Sequence, residues 1–387
     1  MDVFLHTIAT AVPDHILVQT EARDVFASQP NLTRLAQRLV RASFDGSAIE
    51  TRRSVIEDFH LGRVPEHPTF YDHRSGLLLS PSTRTRNELY IREAQPLTLA
   101  AARRAIAETE GLSTADITHV ITVSCTGFYA PGPDYQLVRE LGLASNTLRY
   151  NIGFMGCYAS FPALRAARSF VRADPDAVVL VVSTELCSIH VRSSNDPDQI
   201  VAASVFADGS AAALISARDD IPGNSLSLDS LASDLTPVGE GDMAWTIGDE
   251  GFEMILSAAV PKIIDTYIAG AIGPVLVDEP ALREDPAGRI AHWAVHPGGR
   301  SILDRVESRL GLSPEQMVPS RDTLREVGNM SSATIFFVLK RILDAEGPAR
   351  STSAAPERVM AMAFGPGLTV ETGLFTKRYA EQSDAGV

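Results

Sequence analysis

The two halves of this 387-residue chain run through the same series of signals, and that repeat constrains the fold more than any other feature. An apolar run ends at Cys125-Thr126-Gly127, and a second ends at His296-Pro297-Gly298-Gly299, about 171 residues further on. Gly156-Cys157 is matched at nearly the same offset by Gly328-Asn329, each pair opening a segment of small residues at helical spacing. Asp208-Gly209 and Pro366-Gly367 form a looser third pair. Apolar, β-branched runs at 119–124, 177–183, 290–295 and 358–363 stop at small-residue or glycine turns. Amphipathic stretches at 97–110, 161–173, 300–310 and 334–345 separate them. Strands alternating with helices predict an α/β fold whose sheets are covered on both faces. The repeat predicts two similar halves, 1–218 and 219–387, meeting around one central site. Two segments break the regularity: 56–92, rich in His, Pro, Arg and Ser, and 219–250, rich in Gly, Asp and Pro. Both read as excursions over the surface or over a cavity mouth.

Composition narrows the class. Hydrophobic content is 45% with 21% charged residues, as in an ordinary soluble domain. No apolar stretch reaches the roughly 18 residues of a membrane span, and Met1-Asp2-Val3-Phe4-Leu5-His6 does not read as a signal peptide. Three scattered cysteines, at 125, 157 and 187, do not form a disulfide framework, so a cytoplasmic location is expected. A net charge of −14 argues against nucleic acid or an anionic membrane as partner. No metal-ligand spacing or glycine-rich dinucleotide motif stands out, so neither a metal nor a nicotinamide is expected.

The chemistry gathers at three positions of the repeat. Cys157 follows glycines at 153 and 156 and precedes Phe161, Leu164, Ala167 and Phe170 at helical spacing, with Pro162 tolerable only in a first turn. A thiol at a helix start is expected to have its pKa lowered from roughly 8.5 toward neutrality. His296 stands at a strand end before a loop whose backbone can approach a ligand closely, and Asn329 stands at a helix start. If the halves superimpose, the three converge. A cysteine can then hold an acyl group as a thioester, with His296 as the cation that stabilises its thiolate. His296 Nε2 and the Asn329 amide can both donate to a carbonyl oxygen, as in an oxyanion hole, and stabilise the enolate left when a malonyl thioester loses carbon dioxide.

These residues carry a family resemblance. Gly156-Cys157-Tyr158-Ala159, His296-Pro297-Gly298-Gly299, Gly328-Asn329-Met330-Ser331-Ser332-Ala333 and Phe364-Gly365-Pro366-Gly367 resemble the thiolase-like condensing enzymes, and among them the type III polyketide synthases of the chalcone synthase-like family. The likeness extends from Thr10-Ala11-Val12-Pro13 to Gly373-Leu374-Phe375. Thiolases would need a second cysteine in place of Asn329, and ketoacyl synthase III enzymes usually carry His-Gln-Ala-Asn in place of His-Pro-Gly-Gly. The resemblance implies a thiolase-like αβαβα layered fold of two duplicated halves and a homodimer. It makes Cys157 the acyl carrier, with His296 and Asn329 as the decarboxylation and condensation pair. Its substrates would be an acyl-CoA starter and malonyl-CoA, or methylmalonyl-CoA, with no other cofactor.

Further roles follow from the same resemblance. Phe206, in Val205-Phe206-Ala207-Asp208-Gly209, matches the aromatic gate between CoA tunnel and product cavity, and the stretch from Cys125 and Thr126 to Leu137 looks like the loop that reaches toward the neighbouring subunit. Other cavity positions depart from the plant enzymes. Met254 stands for a second gating phenylalanine, Trp245 for a glycine, and Cys125, Cys187 and His190 for threonines. Ala130 replaces a methionine and Ala202 a glycine, while Ser331 belongs to the Asn329 motif. These departures look closer to bacterial members that take fatty acyl-CoA starters and release alkylresorcinols or alkylpyrones. Arg38, Arg41, Arg52 and Arg53 fall where the family sets basic residues against CoA phosphates, which arginine suits geometrically. The rival readings are a ketoacyl synthase III-like enzyme making one condensation or acyl transfer, and a catalytically silent acyl-CoA-binding relative.

Overall fold

A computed structural model of the chain describes residues 1–60, 64–346 and 357–380. The chain enters through β1 (Phe4–Ala11), then a small ladder of β2 (His15–Val18) with β3 (Thr51–Ser54) that brackets α1 (Gln19–Ala27) and α2 (Arg34–Gly46). A second short ladder joins β4 (Tyr71–Asp72) to β5 (Leu77–Leu78) ahead of the long helix α3 (Thr83–Ala107). The first half continues through β6 (His119–Ser124), α4 (Pro133–Leu141), β7 (Leu148–Gly153), α5 (Ser160–Ala173), β8 (Val179–Leu186), α6 (Pro197–Val205) and β9 (Asp208–Ser216). The second half carries β10 (Ser225–Leu235), the hairpin β11 (Met243–Gly248) and β12 (Gly251–Leu256), α7 (Val260–Ala271), and the short α8 (Pro280–Glu284) and α9 (Pro286–Arg289). It closes with β13 (His292–Val295), α10 (Arg300–Leu310), α11 (Pro314–Val327), α12 (Thr334–Asp344), β14 (Glu357–Gly365) and β15 (Thr369–Arg378).

Nine strands form one sheet in the order β13-β14-β15-β10-β1-β9-β8-β6-β7. Read outward from the β1–β10 pair, each side repeats the same pattern. A central strand meets an antiparallel neighbour (β9 or β15), then a second antiparallel partner (β8 or β14), then a parallel strand (β6 or β13). Cys125 directly follows β6 and His296 directly follows β13, while Cys157 precedes α5 and Asn329 precedes α12. The echo in the sequence is thus a repeat of topology.

Strand periodicity sorts side chains between separate cores. In β14, Val359, Ala361 and Ala363 pack into one cluster with α5 and α12, while Met360, Met362 and Phe364 point into another with α7, α10 and α11. In β8, Val179 and Val181 join the α5 and α12 cluster, while Leu180 and Val182 pack against α3 and α4. Layers of helix, strand, helix, strand and helix follow. The near-continuous apolar runs of β8 and β9 are what a sheet covered on both faces requires.

The two predicted excursions are more regular than their composition implied. Within 219–250, β10 lies in the middle of the sheet, and Leu226 and Leu228 alternate inward between serines. Within 56–92, α3 already begins at Thr83 and buries Arg86, Leu89 and Tyr90. In both places period-two or helical burial outweighed a loop-like composition.

Candidate active site

Local backbone demands set each of the three central residues. Gly156 has φ 80°, and a Cβ there would stand 2.5 Å from Pro366 Cδ, so only glycine lets the turn close. That turn delivers Cys157 three residues before α5 begins. His296 is carried by the end of β13, its backbone N–H donating to the Met362 carbonyl of β14 at 2.8 Å. Asn329 follows Gly328, which ends α11 at φ 71°, where a Cβ would meet Arg52 Cγ at 2.9 Å. A parallel bridge then ties Asn329 to Phe206, with Asn329 N–H donating to Val205 O (2.9 Å) and Ala207 N–H to Asn329 O (2.8 Å).

Cys157, His296, Asn329, Phe206 and Met254 line one cavity of about 650 Å³. Asn329 Oδ1 accepts from Ser331 N–H (2.8 Å) and Nδ2 donates to Gly298 O (3.2 Å), and the same side chain hydrogen-bonds the Cys157 thiol. His296 is 1% exposed, and among the described residues neither ring nitrogen has a hydrogen-bond partner. A buried imidazole without a partner is costly, which makes His296 a candidate for contact with a ligand in this cavity.

The electrostatics differ from the expectation of a pre-ionised thiolate. Burial pushes the Cys157 thiol up to about 11, with hydrogen bonds to Ser331 and Asn329 acting weakly the other way. Burial likewise brings His296 down to about 3. Both shifts favour the uncharged forms, a thiol and a neutral imidazole. Cys157 stands three residues ahead of α5, and burial dominates its titration. Ser331, at φ 47°, holds a conformation that non-glycine residues seldom adopt, and its hydroxyl lies 3.2 Å from Cys125 Sγ.

On the far side of Cys157 the space nearly closes. A compartment of about 20 Å³ is lined there by Cys125, Thr126, Cys187, Phe206, Trp245 and Met254, with Ser331 beside them. Trp245 faces Met254 across the β11–β12 ladder and donates Nε1–H to Cys125 O at 2.8 Å. Its ring stands edge-on to His190 (5.5 Å) and Phe252 (5.7 Å) and lies 6.4 Å from Phe206.

Other positions singled out in the sequence fall elsewhere. His190 is buried, with one ring nitrogen on Thr126 O (2.7 Å) and the other accepting from Phe252 N–H, and it lines neither compartment. Ala202 packs in the core beside Phe206 without lining either. Ala130 borders a separate cavity of about 370 Å³ with Phe128 and Tyr90. Arg38 and Arg41 are exposed on α2, Arg41 standing 3.5 Å from Asp24, and Arg53 donates to the carbonyls of Pro13 and Asp14. None of the three lines the large cavity. Arg52 is no phosphate ligand either: fully buried, it donates to Gln19 and to the carbonyls of Ala203 and Phe206.

Sequence reasoning passed over Glu185. It is fully buried at the end of β8 and accepts from Ser332 Oγ, Cys125 N–H (2.9 Å) and Thr126 Oγ (2.8 Å), so it fixes the loop under the site. Burial raises its pKa, and these donors oppose the rise. Its one signal was a carboxylate near the end of a strand that opens Val179-Leu180-Val181-Val182.

With the geometry in view, the family model for chalcone and stilbene synthases matches this chain in two pieces. Its N-terminal domain covers residues 2–219 and its C-terminal domain residues 227–377. The chain belongs to the chalcone and stilbene synthase family. It is 33% identical over 374 residues to the alpha-pyrone synthesis polyketide synthase-like Pks18 of Mycobacterium tuberculosis, 95% of this chain and 89% of that one. It is 31% identical over 377 residues to probable polyketide synthase 1 of Dictyostelium discoideum, covering 97% of this chain but spanning only 11% of that far longer protein. The crystal structure of PKS-I from the brown alga Ectocarpus siliculosus superposes with a TM-score of 0.87 at 31% identity, covering 97% and 98% of the two chains. The layered architecture is thus the thiolase-like fold of type III polyketide synthases, acyl-transferring enzymes of Claisen condensation. Among the described residues no helix is long and apolar enough to cross a membrane.

Proposed function

We propose that Cys157, His296 and Asn329 load an acyl-CoA starter and extend it with malonyl-CoA, or methylmalonyl-CoA, before the chain cyclises. The observation that carries this reading is the buried His296 imidazole, without a hydrogen-bond partner among the described residues, in the same cavity as the Cys157 thiol and the Asn329 amide that hydrogen-bonds it. A neutral imidazole accepts the thiol proton as Sγ attacks the starter carbonyl, and it returns that proton to the departing CoA sulfur. The malonyl carbon–carboxylate bond then breaks, and its electron pair becomes an enolate. The proton-bearing His296 nitrogen and Asn329 Nδ2–H both donate to the enolate oxygen, worth about 3–4 kcal/mol per preorganised donor. The enolate carbon attacks the Cys157 thioester, and the thiolate leaves for the next round. No carboxylate is required, because loss of carbon dioxide generates the carbanion.

A homodimer is part of this reading. The edge strand β7 exposes Leu148 and Tyr150, next to exposed Phe128 and Tyr135 and the cavity beside Ala130. A second copy would cover this apolar edge. As for product class, resorcinol- or pyrone-type closure is favoured by family membership. Trp245 leaves only about 20 Å³ on the inner side of Cys157, so in this reading its ring limits the length of the loaded acyl chain. The test is mass spectrometry of products from isotopically labelled malonyl-CoA with a panel of acyl-CoA starters, and Cys157→Ala as control. Cyclised tri- or tetraketides absent from the control support the reading. A single extended β-keto product would favour the one-step condensing alternative.

A further inference from the structure

Arg52 is 2% exposed and directs its hydrogen bonds to neutral oxygens. Its Nε donates to Gln19 Oε1 (2.9 Å), and one terminal nitrogen donates to the carbonyls of Ala203 (2.8 Å) and Phe206 (2.7 Å). The Asp208 carboxylate acts on it through space, while its own oxygens accept from Ser188 and the Val55 N–H. A buried guanidinium held by neutral acceptors is costly, and an apolar side chain could fill the same space without that cost. What it holds is the end of α6. Ala203 O takes Arg52, Ser204 O takes the Gln19 amide (2.7 Å), Val205 O takes the Asn329 N–H (2.9 Å), and Phe206 O takes Arg52 again. The Arg52 stem also lies against the turn before Asn329, since a Cβ on Gly328 would stand 2.9 Å from its Cγ and 3.1 Å from its Cδ. One side chain therefore touches both segments that the Phe206–Asn329 bridge joins. Asn329 commits its backbone N–H and carbonyl to Val205 and Ala207, so its place in the cavity depends on where residues 203–207 stand.

We propose that Arg52 is a positioning residue: by holding the α6 end and the Gly328 turn in register, it aims the Asn329 amide for decarboxylation of the extender and is not needed for acylation of Cys157. The inference rests on the reading that Asn329 donates to the enolate oxygen, and it names a residue outside the cavity on which that donation depends. Arg52 does not line the large cavity, so it acts through the residues it holds. Preorganised donors work only at fixed geometry, and a displacement of about 1 Å can slow a step about 10²-fold. A cation that merely capped the carbonyls of α6 would support the fold alike for every step.

The experiment uses Arg52→Met, which removes charge and donors at similar length, and Arg52→Lys, which keeps the charge but not the planar fork. Release of labelled carbon dioxide from malonyl-CoA, starter loading on Cys157 by intact-protein mass, and the folded fraction by circular dichroism are measured on each full-length enzyme. Per folded site, Arg52→Met should decarboxylate about thirtyfold slower, with the loss in kcat and both KM and loading within about threefold of wild type. Arg52→Lys should fall between the two. Adding Arg52→Met to Asn329→Ala should slow decarboxylation by less than about threefold more, because the amide it aims is gone. Equal losses in loading and decarboxylation overturn the proposal, as do additive effects in that cycle or a lowered Tm with unchanged rates per folded site. If Arg52→Met does not fold, Arg52→Lys decides by the same comparison: decarboxylation slowed by about threefold or more with loading intact supports the proposal, and any other pattern overturns it. An Asn329→Ala enzyme that decarboxylates at the wild-type rate would overturn the underlying reading, whereas a slow Asn329→Ala beside unimpaired Arg52 variants overturns this proposal alone.

Discussion

Trp245→Ala is the most informative single change, because Trp245 is the largest side chain lining the inner compartment beside Cys157. Its side chain seals a compartment of about 20 Å³ and is pinned by the Nε1–Cys125 O hydrogen bond and by Phe252 and His190. Truncation removes a large aromatic group and leaves the buried Cys125 carbonyl unpaired, so the fold should lose about 3–5 kcal/mol. Many folds of this size tolerate that loss, and circular dichroism would show whether this one does. The space released lies next to Cys157, where a starter's acyl chain sits once loaded. Each additional methylene buried there is worth about 0.8 kcal/mol, about fourfold in kcat/KM. Three more methylenes amount to about 2.4 kcal/mol, or about sixtyfold. The assay is competition among acyl-CoA starters from two to twelve carbons with labelled malonyl-CoA, read by product mass. The optimum should move by several carbons toward longer starters in Trp245→Ala, and Trp245→Phe should move it little while losing the hydrogen bond. An unchanged chain-length profile in a folded Trp245→Ala enzyme would refute the argument, as would efficient use of a twelve-carbon starter by the wild type in the inner compartment.

The remaining predictions are more local. Asn329→Ala should slow malonyl decarboxylation by about 10²–10³-fold while starter loading on Cys157, followed by intact-protein mass, continues. Gly156→Ala should abolish activity or folding, since its Cβ would stand 2.5 Å from Pro366 Cδ in a left-handed backbone; full activity would show that the turn can relax. The Cys157 thiol, raised by burial to about 11, is protonated at neutral pH, so its alkylation by iodoacetamide should rise about tenfold per pH unit from pH 7 to 9. A plateau below pH 7 would instead mean that a thiolate–imidazolium pair exists in the free protein. Tyr150→Glu on the edge strand should dissociate a dimer in analytical ultracentrifugation, and an unchanged sedimentation coefficient would place the interface elsewhere.

The repeat was legible because sheets covered on both faces leave continuous apolar strands, and because each half spends its glycines at the same turns. Gly156 and Gly328 are sterically obligatory, so the positions of Cys157 and Asn329 could be found from spacing alone. What spacing could not give was the charge state. The same burial that collects the three residues also removes the water that would ionise them, and no sequence pattern reports the depth of a side chain. Hence the thiol moved up where the helix-start argument moved it down. β10 was hidden for a related reason: its alternation of serine with leucine sits among Gly, Asp and Pro, and composition outvoted periodicity.

The arginines mark the sharper boundary of sequence reading. Arg52 and Arg53 are adjacent in the chain, yet strand pleating turns one into the core and the other toward the carbonyls of Pro13 and Asp14. Arg38 and Arg41 share α2 with Leu39 and Ala42, and the helix sends the arginines to solvent and the apolar pair to the cavity. Counting basic residues in a segment therefore predicts attraction to phosphate without saying which face carries it. Position on the helix, and not the number of arginines, decides the lining: its charged side chains are Asp198, Arg300 and Asp304, contributed by α6 and α10, while α2 contributes only neutral ones.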